Sequence, residues 1–346
     1  MRATAFTRLA AFLPFLVAAC ASDSAADGTP GTAADEDDVT AACLSVPACN
    51  APPPEATPTG FAHKDFSGEQ PHHRGRDLIL RPTDDAWAMA KFAYGTRDRD
   101  AKDEAVDVYL EKLCGGAWQH VTTAYTSLDG ANPTVEDVKD TGGRVFVNMG
   151  KLPVGRHRVH FVLRADASRT EAFIEVLAPG QKVFVTDIDG TLTSSEFAEF
   201  PALLSGEQPA VHPDAAAALS ALAARGYRPF FLTARPEYLG ERTRQLLSKN
   251  GFPPGVLHTT LTLTGAVGSS AQAFKSRELA LLAQRGFVPS FAFGNKPSDA
   301  EAFTGAHISA KNTFLYQQTD EIYGCRRIEA YSELLPLLSA AKKGCK

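Results

Sequence analysis

Four groups of polar residues in the second half of the chain carry the side chains that phosphoryl transfer requires. The stretch 187–193 opens with two aspartates one residue apart, and 233–235 follows the next apolar run. Lys275 lies inside a later helical pattern, and the stretch 294–299 ends in an aspartate. A carboxylate attacks an anionic phosphate ester poorly until the charge is neutralised, and a divalent cation bridging the two does this. The pattern therefore predicts a phosphate-ester site with a carboxylate nucleophile.

The requirements of phosphoryl transfer suggest a role for each side chain. Asp187 would attack phosphorus, giving an aspartyl-phosphate, and would also supply one metal oxygen. Gly190 permits a tight turn, so that Asp189 comes back over the same site as general acid and base. Thr233 would donate a hydrogen bond to the phosphoryl oxygens, and Lys275 would balance charge between them and the nucleophile.

The remaining polar residues would complete a magnesium site. Asp299 would be the remaining carboxylate ligand, and Mg²⁺ prefers few carboxylates together with water and substrate oxygens. Asn295 would orient the shell of the metal. Arg235 and Lys296, expected at the rim of the site, would either meet a second anionic group or be ordinary surface charges. We expect Mg²⁺ as the cofactor.

The elements that must position these residues alternate between strand and helix. Apolar runs at 183–186 and 228–232 are separated by an Ala- and Leu-rich helical pattern at 213–225, and a further helix is predicted at 273–285. This order predicts an α/β region over residues 180–340, with a parallel sheet and helices on both faces. Ligands in such sheets bind at the carboxyl ends of the strands, which is where the polar groups stand.

Residues 76–179 have a different residue pattern, in which short runs typical of β-strands are separated by turn signals. The predicted strands are 77–81, 87–94, 106–112, 118–126, 144–149, 157–164 and 171–177. This number of short strands in such a length predicts an all-β sandwich of the immunoglobulin type.

The four polar groups, in this order, resemble the motifs of the haloacid-dehalogenase (HAD) superfamily. The closer resemblance is to the LNS2 region of lipin-type phosphatidate phosphatases, over about residues 180–318. The residues that carry it are 187–193, 233–235, Thr243, Arg244, Leu246, Phe274, Lys275 and 293–299. The resemblance implies a HAD-like Rossmannoid sheet, an immunoglobulin-like domain against it, and metal binding by the backbone carbonyl of Asp189. Thr233 and Lys296 depart mildly from lipins, which commonly have Ser and Arg there.

The spacing of the motifs bears on the substrate. The intervals from Thr193 to Phe231 and from Arg235 to Lys275 are too short for a large cap domain, so an open site is expected. An open site suits a membrane phospholipid, and a phosphatidate-type lipid is the leading expectation. Two alternatives stay open: a phosphatase for another exported phosphomonoester or a phosphoprotein, and a non-catalytic phospholipid-binding module.

The first twenty residues resemble a bacterial lipoprotein signal peptide. Arg2 and Arg8 precede the apolar stretch 9–17, which is too short to span a bilayer, and Cys20 follows small residues. We expect Cys20 to be lipidated, which would anchor the exported protein in the bacterial envelope, at the outer membrane or facing the periplasm. An ordinary cleaved signal peptide is the alternative. Residues 21–60, rich in Ala, Asp, Thr and Pro, would be a disordered tether.

Composition and cysteine content set further bounds. The chain has 346 residues, of which 44% are hydrophobic, so it can form a substantial core. Its formal net charge of -5 argues against a nucleic-acid partner. Disulfides persist in exported proteins, and the local pairings are Cys43 with Cys49 and Cys325 with Cys345, which would leave Cys114 free. Other pairings stay open, because connectivity does not follow from sequence.

The anchor can be tested by the substitution Cys20→Ser. The variant has no thiol to carry the lipid, so it should leave the membrane fraction and appear in the soluble fraction after cell lysis. Fractionation and immunoblotting measure this, with Cys325→Ser as a control that keeps Cys20. Unchanged membrane partitioning of Cys20→Ser would remove the anchor.

Overall fold

A parallel sheet organises the second half of the chain. The computed structural model describes residues 46–194, 209–320 and 322–345, which form a mixed α/β fold with several sheets. The strands of the second half are β11 Val183–Thr186, β12 Arg228–Leu232, β13 Val256–His258, β14 Phe291–Gly294, β15 Thr313–Tyr316 and β16 Arg326–Ile328. They pair in parallel in the order β13, β12, β11, β14, β15, β16. The parallel sheet predicted for residues 180–340 is therefore present.

Helices cover both faces of this sheet. They are α1 Ala215–Ala224, α2 Gly240–Lys249, α3 Ser269–Gln284, α4 Pro297–Gly305 and α5 Leu335–Ser339. Phe184 and Phe231 point to one face and pack with α1, α2 and α5. Val185 and Phe230 point to the other face and pack with α3 and α4. Strands buried on both faces explain the continuous apolar runs in the sequence.

The first half of the described chain forms two larger sheets around one core, and a third sheet in which Ala93–Tyr94 pairs with Arg99–Asp100. The strands are β1 Arg74–Gly75, β2 Leu78–Leu80, β3 Trp87–Lys91, β4 Ala93–Tyr94, β5 Arg99–Asp100, β6 Ala105–Glu111, β7 Gln119–Tyr125, β8 Arg144–Asn148, β9 Gly155–Leu163 and β10 Arg169–Val176. One sheet has the order β2, β10, β9, β6, β7 and the other β1, β3, β8. Val106 and Phe161 from the first sheet share a core with Ala88 and Val145 from the second.

All the predicted strands of this region are present. The predicted strand 87–94 is divided into β3 and β4 at Phe92, while β1 and β5 were not predicted because two-residue strands leave no alternating pattern. The core also includes Phe66, which precedes the predicted start of the sandwich at residue 76.

Residues 46–60 lie along the sandwich, so the prediction of a disordered tether is wrong for this segment. The backbone N–H of Thr59 donates to the Arg164 carbonyl at 2.9 Å, and the N–H of Ala51 donates to Glu111 Oε1 at 3.2 Å. Ala51 is buried. Segments that bury backbone polar groups with partners are ordered parts of a domain. The rest of the predicted tether and the predicted signal peptide lie outside the described residues.

The cysteine pairings differ from the local ones predicted. Cys49 forms a disulfide with Cys114, so neither the Cys43–Cys49 pairing nor a free Cys114 is correct. Cys325 is free and buried, and Cys345 is disulfide-bonded, so these two are not paired with each other. The packing of residues 46–60 brings together cysteines that are 65 positions apart, which local spacing does not indicate.

Buried ion pairs join the sandwich to the α/β region. Between β1 and β2, Arg76 Nη2 lies 2.9 Å from Glu278 Oε2 on α3, and Asp77 accepts from Arg244 of α2 at 2.9 Å. Glu237, in the turn between β12 and α2, accepts two hydrogen bonds of 2.9 Å from Arg144 of β8. Removing one partner of a buried pair leaves an uncompensated charge, so these contacts fix the two regions relative to each other. Within the described residues, no helix has both the length and the apolar character needed to span a bilayer.

Glu278 makes the stability of this interface pH-dependent. Burial alone would raise the pKa of Glu278, but Arg76 and His258 outweigh burial and lower the pKa from 4.5 to about 2. The stabilisation is therefore complete above the ordinary pKa and is lost as pH falls toward the folded-state pKa. In urea denaturation, the free-energy difference between the unaltered chain and Glu278→Gln should shrink by roughly 1 kcal/mol for each pH unit below 4.5.

The exposed residue Glu301 offers the matched control, because Glu301→Gln removes a carboxylate from solvent rather than from the interface. Its unfolding free energy should follow that of the unaltered chain at every pH. A difference for Glu278→Gln that stays constant between about pH 5 and pH 3 would contradict the assigned ion pair.

Candidate active site

The polar groups predicted from the sequence meet at the carboxyl edge of the parallel sheet. Asp187 follows β11, Thr233 follows β12 and Asn295 follows β14. These three strands are adjacent and parallel, so the residues after them lie side by side. Lys275 reaches the same edge from α3, and Asp299 does so from the first turn of α4.

The ammonium group of Lys275 bridges two carboxylates. Its Nζ atom lies 2.8 Å from Asp187 Oδ1 and 2.5 Å from Asp299 Oδ1. The side chains of Lys275, Asp187 and Asp299 are 5%, 6% and 1% exposed. Water therefore screens these charges little, and their mutual attraction is stronger than on the surface.

Burial and charge shift the proton affinities within this cluster. Burial is the largest cause that raises the pKa of Asp187 to about 7; Lys275 opposes the rise, and the carboxylates of Asp299 and Asp189 add to it. Burial alone would lower the pKa of Lys275, but Asp187 and Asp299 outweigh it and raise that pKa. The lysine thus stays charged, whereas Asp187 needs further positive charge nearby to remain ionised near neutral pH.

The Asp189 carboxylate is held in a second cluster. Arg235 Nε and Nη2 lie 3.0 Å and 2.8 Å from Asp189 Oδ1, and Thr233 Oγ1 donates to Oδ2 at 2.9 Å. Arg235 is 1% exposed, and its Nη1 donates to Thr243 Oγ1 at 3.0 Å. The prediction that Arg235 lies at the rim is therefore wrong: its guanidinium is buried against a carboxylate of the site.

The turn after β11 has the local geometry that the sequence suggests. Gly190 has a φ of +70°, in the left-handed region that favours glycine. The hydroxyl of Thr191 donates to Asn295 Oδ1 at 3.0 Å, and the Tyr331 hydroxyl donates to the Thr191 carbonyl at 2.9 Å. The turn is thus tied to the residue after β14 and to the segment before α5.

Backbone groups orient Asp299. Its Oδ2 atom accepts hydrogen bonds from the N–H groups of Asn295 at 3.0 Å and Lys296 at 3.1 Å, which leaves Oδ1 directed at Lys275. A Cβ on Gly294 would stand 2.6 Å from the Asp299 Cβ, so this close approach requires glycine. Lys296 contributes its backbone N–H here, while its side chain is exposed at the edge of the site.

The two clusters thus account for all the predicted catalytic and phosphate-binding side chains. Their arrangement differs from the expectation in one respect, because the Thr233 hydroxyl and the Arg235 guanidinium face Asp189. Asn295 and Lys296 border the clusters. Cys20, the predicted lipidation site, lies outside the residues that the structure describes.

Three supporting residues were not predicted. Thr243 fixes the Arg235 guanidinium, Tyr331 holds the turn after β11, and Glu237 receives the sandwich arginines close to Arg235. Thr243 belongs to the stretches that carry the lipin resemblance, so that resemblance was a usable signal. Glu237 and Tyr331 act through contacts across more than 90 positions, for which the sequence holds no local signal.

Asp187 and Asp299 are the two carboxylates of the site that could hold a magnesium ion. Across residues 46–194, 209–320 and 322–345, no three acidic, histidine or cysteine side chains already form a metal-binding group, and the Lys275 ammonium stands between two of the carboxylates. Asp187 and Asp299 provide the one or two carboxylates that Mg²⁺ uses with water and phosphate oxygens. The Asp189 carboxylate is engaged by Arg235, and the lipin resemblance implies that this residue would contribute its backbone carbonyl.

Family comparisons agree with this division of the chain. The model for the LNS2 domain of PITM 1-3 matches residues 184–317, and the model for the beta-sandwich domain of PITM 1-3 matches residues 71–176. These matches support the LNS2 family for the α/β region and confirm a β-sandwich domain before it. The immunoglobulin type of the sandwich and the HAD-like Rossmannoid arrangement of the sheet stay predictions.

Two relatives each match 70% of the chain, and the name of one of them refers to membranes and phosphatidylinositol transfer. The chain is 23% identical over 249 residues to Protein retinal degeneration B of Drosophila melanogaster, covering 70% of this chain and 18% of that protein. It is 25% identical over 249 residues to Membrane-associated phosphatidylinositol transfer protein 1 of Homo sapiens, with the same coverage of 70% and 18%. The chain thus spans less than a fifth of the length of either relative.

Solved structures add little. The CARDB domain of the PF1109 protein from Pyrococcus furiosus is 11% identical, with a TM-score of 0.21, and covers 33% of this chain and 98% of that chain. A similarity this low supports no inference about fold or function.

The charge balance of the first cluster can be tested by Lys275→Met. This substitution leaves two buried carboxylates without their shared cation, so the free energy of unfolding at neutral pH should fall by roughly 3–5 kcal/mol. Urea denaturation measures it. Lys249→Met, at an exposed position of α2, should cost no more than about 0.5 kcal/mol. Equal effects of the two substitutions would show that Lys275 does not neutralise the cluster.

Proposed function

We propose that the chain is a magnesium-dependent phosphatase that hydrolyses a phosphate monoester of the phosphatidate type. The observation that carries the proposal is the Lys275 ammonium shared by Asp187 and Asp299, with Asp189 held beside them at the same edge of the sheet. This set combines a nucleophile, a proton carrier and a fixed cation, which phosphoryl transfer requires together. The likeness to LNS2 domains supports a phospholipid-related role.

The reaction would pass through a covalent enzyme intermediate. A carboxylate oxygen of Asp187 forms a bond to phosphorus while the ester P–O bond breaks, and the leaving alkoxide takes a proton from Asp189. Water then attacks phosphorus, gives its proton to Asp189 and releases inorganic phosphate, which restores the Asp187 carboxylate. A bound Mg²⁺, held by Asp187, Asp299 and the Asp189 carbonyl, would neutralise the charges of the nucleophile and the phosphate.

Substrate binding would release the proton carrier. Arg235 and Thr233 now donate their hydrogen bonds to the Asp189 carboxylate. An incoming phosphate group offers the same donors a more highly charged acceptor, and arginine pairs well with phosphate. Transfer of these hydrogen bonds to the substrate frees Asp189 to take up a proton from water and to move toward the leaving oxygen, to which it gives that proton. Thr233 and Arg235 thereby become the phosphate-binding residues of the loaded site.

Three considerations support a phospholipid as the substrate. The human relative is named a membrane-associated phosphatidylinositol transfer protein. The intervals between motifs leave no room for a large cap. A lipid on Cys20 would hold the exported chain at a bacterial membrane surface, where its phospholipid substrate is found.

A second candidate is a phospholipid-binding module without turnover. The observation that favours it is the name of the human relative, a phosphatidylinositol transfer protein rather than a hydrolase. In this role, the phosphate head group would occupy the same donors, and the aspartates would serve only to hold a cation.

Asp187→Asn separates catalysis from binding. The amide cannot form the aspartyl-phosphate, so turnover of a chromogenic phosphate ester with Mg²⁺ should fall at least about a thousandfold, while circular dichroism shows an intact fold. Addition of EDTA to the unaltered chain should abolish turnover as well. Asp85→Asn, at an exposed surface pair with Lys151, should keep the full rate.

A near-unaltered rate for Asp187→Asn would refute the mechanism. If the unaltered chain shows no turnover with or without Mg²⁺ but binds phosphatidate vesicles, the result would instead favour the binding module. Phosphate release from phosphatidate vesicles, compared with soluble sugar phosphates and phosphopeptides, identifies the substrate class. Faster release from the soluble esters would contradict the lipid assignment.

A further inference from the structure

One loop at the carboxyl edge of the sheet differs in composition from the rest of the chain. The stretch 259–274 contains no Asp, Glu, Lys or Arg, although these residues make up 22% of the chain. It leads from β13 into α3. Residues 261–268 within it are here called the site-edge loop.

The site-edge loop is attached to the segment that carries Arg235. The backbone N–H of Thr260 donates to the Arg235 carbonyl at 3.0 Å, and the N–H of Ala266 donates to the Ala234 carbonyl at 2.9 Å. The Glu237 N–H donates to the Thr262 carbonyl at 3.2 Å. These bonds hold both sides of the loop against the phosphate-binding segment, so the loop forms part of the wall of the candidate site.

The tip of this loop exposes two aliphatic side chains. Leu263 is 51% exposed and Val267 is 70% exposed, the highest value among the large hydrophobic residues of the described chain. At its base, Leu261 packs against the core of the sandwich. The anchored base and the hydrogen bonds to the site prevent the tip from folding back to bury these side chains.

We propose that the site-edge loop inserts Leu263 and Val267 among the acyl chains of a phospholipid bilayer and so places the site against the membrane surface. This choice of occupant rests on the phosphatase function proposed above. The phosphate of a lipid that stays in its bilayer enters the site only when the membrane meets this edge of the sheet. A charged side chain at the point of contact would resist insertion, and the loop has none.

The edge of the sheet that carries the loop also carries an exposed cation. Lys296 follows β14 at the same edge, and its side chain is exposed. Binding at a membrane interface grows with the apolar area that is buried and with electrostatic attraction to anionic head groups. Val288 is also exposed, at 44%, but it precedes β14 and so lies toward the opposite edge of the sheet.

Tryptophan placed at the tip reports insertion directly, whether or not a lipid anchors the chain. In the full chain, Val267→Trp should show emission quenched at least about twofold by phosphatidylcholine brominated on its acyl chains, in vesicles that contain phosphatidate. Val288→Trp is the matched control, and its emission should change no more than that of the unaltered chain, which has two native tryptophans. If the emission of Val267→Trp is not quenched, the proposal is overturned. This holds whether or not the chain sediments with the vesicles.

Kinetics provide the second measurement. Leu263→Ser combined with Val267→Ser should lower hydrolysis of phosphatidate in vesicles about tenfold and leave hydrolysis of a soluble chromogenic ester unchanged. Equal loss on both substrates would overturn the proposal, because the loop would then act on the site itself. If the unaltered chain hydrolyses neither substrate, the proposed function fails, and the quenching result alone decides whether the loop meets the bilayer.

Discussion

The structure of the site depends on the neutralisation of buried carboxylates. Asp187 and Asp299 are almost completely buried, and the shared contact with Lys275 supplies the positive charge that offsets the burial of both carboxylates. The parallel order of β11 and β14 brings the two aspartates together, and α3 delivers the lysine. The position of Asp299 also requires glycine at position 294, because a Cβ there would collide with Asp299 and displace it. The surrounding strands and helix thus position the two carboxylates and the one ammonium group that neutralises them.

The same requirement extends outward into the sandwich. Arg144 neutralises Glu237 two positions after Arg235, and Arg76 neutralises Glu278 one helical turn after Lys275. Each cationic side chain of the site therefore has a neighbouring acidic residue that is held by the other region. Movement of the sandwich relative to the sheet would separate these pairs and leave charges buried without partners. These ion pairs explain why the sandwich and the α/β region occur together, even if the sandwich binds no ligand.

Sequence patterns located the site because every residue that follows a parallel strand is carried to the same edge. Asp187, Thr233 and Asp299 could be placed together on this basis alone. The partner of Arg235 could not be predicted, because a side chain after a strand points to solvent or to a neighbour according to how the next helix packs. Here α2 places the Thr243 hydroxyl 3.0 Å from the Arg235 guanidinium. The prediction of the disulfide pairing was wrong for a related reason. The packing of an irregular segment against the sandwich, rather than spacing along the chain, brings Cys49 to its partner.

The charge of the site bears on catalysis and binding alike. Three carboxylates, those of Asp187, Asp189 and Asp299, face two cations, Lys275 and Arg235. A site built only to hold a phosphate would carry an excess of positive charge, whereas this one repels a dianion in its present state. A divalent cation reverses the balance and also keeps Asp187 ionised, which burial otherwise opposes. Affinity for phosphate should therefore depend on the cation even where no bond is broken, and what distinguishes an enzyme from a binding module here is whether Asp189 leaves Arg235.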